Sequence, residues 1–181
     1  MGYVVSKLAA GLIVAGALVL GHGVAFDRPA AAQGLLSDMD FHGMDTLRVT
    51  ASPMTVESLD CGLESSGLVR ELRRQLDSEG MKSSDSDAAL GVITVLSARN
   101  GDSGACNSTL MLGAYKKASF FDKDVGWIRS GYVVVWQSAV LVASSAETHP
   151  VQVRDALARL GAALLTDWRG ANRPTAATAG P

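Results

Sequence analysis

Between residues 46 and 98 the chain runs strand-like, helix-like, strand-like, and after that no helix is readable until about residue 148. This order constrains the fold more than any other feature. A strand–helix–strand unit is a crossover, so its two strands lie parallel and the crossover is right-handed. Strands joined by short loops instead run antiparallel. A crossover followed by a meander and a last helix gives the order β-α-β-β-β-α. The expected fold is therefore α+β: a two-layer sandwich with a four-stranded mixed sheet and two helices on one face.

The segments that carry this order are individually clear. TLRVTASPMTV (46–56) is the first strand, and Pro53, which lacks an amide donor, restricts it to an edge or a bulge. SSGLVRELRRQLDSEG contains an amphipathic helix with Leu68, Val69, Leu72 and Leu76 on one stripe and Gly80 as a left-handed stop. AALGVITVLSA (88–98), STLMLGAYKKAS (108–119) and YVVVWQSAVLVAS (132–144) are the next three strands. FFDKDVGWIRSG, between the last two, reads as a turn region. The second helix starts near Thr148, tolerates Pro150 in its first turn and lines Val153, Leu157, Leu160, Leu164 and Trp168 on one face. The expected domain spans residues 46–170, with 33–45 as a lead-in and 171–181 as a disordered tail.

Residues 1–32 read as a signal peptide. Lys7 precedes LAAGLIVAGALVL (8–20), an apolar run of the right length, and small-residue exits end at Ala25 and Ala32. The alternative is an uncleaved membrane anchor from Leu8 to Phe26. No cysteine lies at either exit, which disfavours a lipid anchor. Without Lys7, Asp27 and Arg28, the 16 basic and 18 acidic residues become 14 and 17. An acidic balance argues against a nucleic-acid partner and against electrostatic binding of the whole domain to an anionic membrane.

Export makes the cysteines readable. Cys61 and Cys106 are the only two, 45 positions apart. An even count in an oxidising compartment suggests a disulfide. Parallel first and second strands would bring the exit of the first and the loop after the second to the same end of the sheet, and each leads to one of these cysteines.

Chemical motifs are sparse. GDSGA (101–105) resembles the nucleophile motif of chymotrypsin-like proteases, but the mature chain holds only His42 and His149, neither in that family's setting. A turn between strands explains the same letters. Asp85 and Asp87 lack the rest of a calcium loop, and two cysteines with two distant histidines make no zinc spacing. No catalytic, metal or cofactor site is expected. The uncovered sheet face is more suggestive, because the last strand does not alternate cleanly between apolar and polar. Tyr132, Val134 and Trp136, with Trp127 before them, form a candidate partner face.

CGLESSGLVRELRRQLDSEGM leading into a strand, and a final helix ending in LLTDWRGANR, resemble a group of small exported proteins of Gram-negative bacteria with no assigned activity. More distantly, the element order is similar to the outer-membrane LPS-assembly lipoprotein and to the amino-terminal domain of the Tol-Pal propeller protein. No functional residue carries over from this resemblance; the expected function is an exported, periplasmic or secreted, non-enzymatic binding or adaptor module of the envelope, meeting a protein or envelope component through its open sheet face or the Trp127/Trp136 region. The alternatives are a small secreted hydrolase, with Ser103 or Asp102 as candidates, and a membrane-anchored structural subunit that keeps its N-terminal helix.

Overall fold

The computed structural model describes residues 41–172; the expected signal peptide, most of the expected lead-in and residues 173–181 of the expected tail lie outside the described residues. The elements are β1 (Thr46–Ala51), α1 (Val56–Asp60), α2 (Ser65–Ser78), β2 (Lys82–Ser83), β3 (Ala89–Arg99), β4 (Ala105–Asp122), β5 (Trp127–Ser145) and α3 (His149–Ala171). The strands form one mixed sheet in the order β2-β1-β3-β4-β5. β1 is parallel to both β2 and β3, while β3, β4 and β5 form an antiparallel meander.

The expectation of four strands and two helices needs correction to five and three among the described residues. The extra strand is only Lys82–Ser83, inside a stretch whose composition reads as a loop. Backbone bonds from the Lys82 and Ser84 amides to the Asp45 and Leu47 carbonyls join it to β1, and Asp77 ties it to the end of α2. Its carboxylate accepts bonds from the Ser83 amide (2.6 Å) and hydroxyl (2.8 Å). These bonds, with Lys82 and Arg73 nearby, lower the Asp77 pKa. The extra helix is one turn, capped by the Thr55 hydroxyl on the Ser58 amide.

The crossover helix α2 buries Leu68, Leu72 and Leu76, each four residues from the next, against the sheet. α3 buries Val153, Ala156, Leu157, Leu160, Leu164 and Leu165 beside it. The helix-side residues of the strands complete the core: Leu47 and Val49, then Ile93 and Val95, then Leu110 and Leu112. Phe41 and Met44 also enter it, so the end of the lead-in is packed rather than loose. The Trp168 indole fastens that segment by donating to the Met44 carbonyl (2.6 Å). The two helices meet at Gly161, where a Cβ would collide with the side chain of Gln75. That glycine lets the Gln75 amide reach the Ala158 carbonyl at 2.9 Å.

β4 and β5 are far longer than β3. Lys117 donates to the Ala88 carbonyl (2.8 Å), and the hairpin runs past β3 beyond that point. The stretch expected to be a turn region is mostly strand. Phe120 pairs with Arg129, Phe121 with Ile128 and Asp122 with Trp127, closing on a tight turn at 123–126. The Asp122 carboxylate accepts from the Asp124 and Val125 amides, and Gly126 takes the positive φ that the turn requires. The result is a two-stranded arm projecting from the sheet.

Candidate functional site

Two features stand apart from ordinary core and surface. They lie at opposite ends of β4 and β5. The first is a polar chain beside the disulfide, fully buried at Ser58, Ser108 and His149 and partly exposed at Ser97 and Ser144. Cys61 and Cys106 are joined, with their Cα atoms 6.0 Å apart. Two residues past Cys106, on the same side of β4, Ser108 begins a line of hydroxyls. Its Oγ lies 2.7 Å from His149 Nε2 and 2.7 Å from Ser97 Oγ, and Ser97 receives a bond from Ser58 (2.9 Å). His149 Nδ1 meets Ser144 Oγ at 2.7 Å. One imidazole nitrogen must donate and the other accept while the ring is neutral, and hydroxyls on both sides can serve either role. Burial disfavours the charged ring and lowers the His149 pKa.

A serine hydrogen-bonded to an imidazole invites a hydrolase reading. Ser58, Ser108 and His149 are all fully buried, so no substrate reaches the pair. Ser103, the sequence candidate, sits elsewhere. Its amide and that of Asp102 donate to the Asn100 side chain in the β3–β4 turn, and Gly104 there has positive φ. Both nitrogens of His149 are occupied by other serines. The cleft of about 260 Å³ between the starts of α2 and α3 is lined by Glu64, Arg70, Glu71, Arg74 and Arg154 with apolar and glycine neighbours, and holds no nucleophile–base pair. Among the described residues, no three His, Cys, Asp or Glu side chains gather to hold a metal. No helix among them is long and apolar enough to cross a membrane.

The second feature is the arm. Trp127 is 72% exposed, Ile128 75%, Phe121 62% and Phe120 52%. Alternation along the strands places Phe121 and Ile128 on one side of the ribbon and Phe120 and Trp127 on the other. Apolar side chains therefore project from both sides near the tip, with the Asp122–Arg129 pair beside Phe120 and Trp127 on the second. Few monomeric domains leave such a cluster in water without a use for it.

The four residues of the candidate partner face do not share one face. Ala114 pairs with Trp136 but Tyr115 pairs with Val134, leaving Val135 as the extra residue of a bulge. The bulge reverses the alternation. Tyr132 and Val134 lie on the open face, where the Tyr132 hydroxyl donates to the Asp87 carbonyl (2.9 Å). Trp136 turns to the helix side, packs on the core and donates to the Asp167 carboxylate of α3 (2.8 Å). Trp127 lies on the arm. Sequence reasoning passed over Phe120, Phe121 and Ile128. Their signal was present: two apolar pairs flanking a D-x-x-x-G turn read as a hairpin tip once both strands are lengthened.

This is a small α+β sandwich stapled at one end, carrying an apolar arm at the other. No protein-family model matches the chain, and no curated protein is similar to it in sequence. Solved structures are distantly similar to it. A PelC dodecamer from Paraburkholderia phytofirmans aligns at a TM-score of 0.38 and 12% identity, over 73% of this chain and 89% of that one. A minor lipoprotein from Acinetobacter baumannii aligns at 0.34 and 13%, over 68% and 91%. The likeness is distant similarity to bacterial envelope proteins in arrangement alone, and no functional argument rests on it.

Proposed function

We propose that this protein is an exported, periplasmic, non-enzymatic binding module of the cell envelope that engages its partner through the β4–β5 arm. The observation that carries the reading is the exposure of Phe120, Phe121, Trp127 and Ile128 on a ribbon with no third strand beside it among the described residues. A two-stranded hairpin alone is marginal in water. This one adds exposed aromatic surface to that weakness, which a partner would cover. The disulfide supports the compartment, because such bonds persist where the medium is oxidising. A hydrolase is the weaker reading, since His149, whose two nitrogens meet Ser108 and Ser144, is itself fully buried.

The test is a photo-reactive amino acid placed at Ile128 of the exported chain, with Arg159 on the exposed side of α3 as control. The reading expects strong adducts from position 128 in intact cells and few from 159. Equal labelling at both positions, or none at 128, would refute it.

A further inference from the structure

We propose that the arm's occupant is the interfacial zone of a bilayer containing anionic phospholipid. The inference rests on the reading of the arm as the binding element and names its partner.

Three observations converge. First, apolar side chains project from both sides of the tip, Phe121 and Ile128 on one and, beside the Asp122–Arg129 pair, Phe120 and Trp127 on the other. A protein groove that covers one side of a ribbon leaves the other wet. A lipid interface surrounds both. Second, the side chains are those that favour that zone: a highly exposed indole, two phenyl rings and an aliphatic neighbour. Third, the neck of the arm is basic on an acidic chain. Lys116 and Lys117 stand where the hairpin leaves β3, and along the arm beyond them Lys123 and Arg129 balance Asp122 and Asp124, while the whole chain is −2. Arg129 and Asp122 satisfy each other at 3.0 Å and Lys116 donates to the His42 carbonyl at 3.1 Å, so the exposed Lys117 is the cation the neck offers to phosphates.

The dimensions agree. From the Phe120–Arg129 pair to the Asp122–Trp127 pair is two strand steps, about 7 Å at the usual rise. Interfacial elements bury about 5–10 Å of their depth. Lys123 and Asp124 at the turn keep it hydrated, so the arm enters obliquely at headgroup level. Lysine stems can lie along apolar surface while their ammonium groups meet phosphates.

The experiment follows Trp127 fluorescence as wild-type protein is mixed with phosphatidylglycerol–phosphatidylcholine vesicles. Trp127→Phe supplies the signal of Trp136 and Trp168 for subtraction. Reading this one indole keeps the result independent of any apolar segment at the N-terminus. The proposal expects a blue shift of the Trp127 component, quenching by brominated acyl chains and protection from aqueous iodide. It expects these changes to weaken with salt and in pure phosphatidylcholine, and the vesicle titration to move about tenfold or more in Ile128→Ser. A Trp127 component that stays in water, or responds equally to phosphatidylcholine alone, overturns the proposal. So does an unchanged titration in Ile128→Ser. If Trp127 ignores vesicles while position 128 still cross-links to a protein or to a second copy, the lipid partner falls and the arm reading stands. If both fail, both fall.

Discussion

His149 makes the stability of this fold depend on pH in a calculable way. The ring is fully buried, and desolvation lowers its pKa below the ordinary 6.5. It also opens α3, where the positive end of the helix dipole works in the same direction. The sign follows from linkage. The unfolded chain takes up the proton as pH falls through 6.5, while the folded chain resists it. Stability is therefore constant above 6.5 on this account and declines below it, until pH reaches the lowered pKa of the folded ring.

The loss between pH 6.5 and 5.5 has an upper bound of about 1 kcal/mol, reached when the folded ring stays neutral throughout. For a domain this size that is a measurable fraction of roughly 5–15 kcal/mol in total. Urea denaturation at a series of pH values reads it directly. His149→Phe removes the titrating group and leaves the Ser108 and Ser144 hydroxyls short of a partner. It should cost about 1–3 kcal/mol at pH 7.5 and flatten the decline below 6.5. Asp77 titrates in a separate window. Its lowered pKa contributes stability present above 3.8 and lost as pH falls through the folded value, so it cannot mimic the His149 slope. An equal slope between 6.5 and 5.5 in wild type and His149→Phe would refute the reasoning.

Two other perturbations follow from the packing. Replacing Cys61 and Cys106 with alanine opens a loop of 45 residues and should lower stability by about 4 kcal/mol in the chain-entropy treatment; a change below about 1 kcal/mol by urea denaturation would show that the staple does little. Gly161→Ala would normally gain helix propensity, yet its Cβ meets the Gln75 side chain and Leu72 Cδ1, so a melting temperature that falls by several degrees is expected and one that rises contradicts the close contact of α2 and α3.

The layered fold was legible because its signals are periodic. Leu68, Leu72 and Leu76 mark a helix stripe that nothing else would produce, and a helix between two strands dictates parallel pairing. β2 was not legible, because it is two residues tied to the end of α2 by Asp77 six positions earlier, and a contact of that kind has no period. The division of the partner face failed for a related reason. Strict alternation from Tyr132 puts Trp136 on the same face, and only the pairing register reveals the extra residue at Val135. The polar chain from Ser58 to His149 draws on four distant segments, each unremarkable alone. The arm lay closer to reach. Treating 120–131 as a turn hid it, although Gly126 and the apolar residues on both sides favour a hairpin.

The placement of these features has a physical logic. The disulfide and the hydroxyl chain brace the start of β4 and the end of β5, while the arm is formed by the opposite ends of the same two strands. Cys106 and Phe121 are separated along β4 by about 50 Å at the usual rise. Sites so far apart with no shared partner contribute independently. A ribbon that must carry aromatic side chains in water cannot also be the part that holds the fold together, because each exposed ring weakens it. Tying β3, β4, β5 and α3 together at the far end secures both strands where they enter the core. The tip can then be shaped for contact at little cost to the domain that bears it.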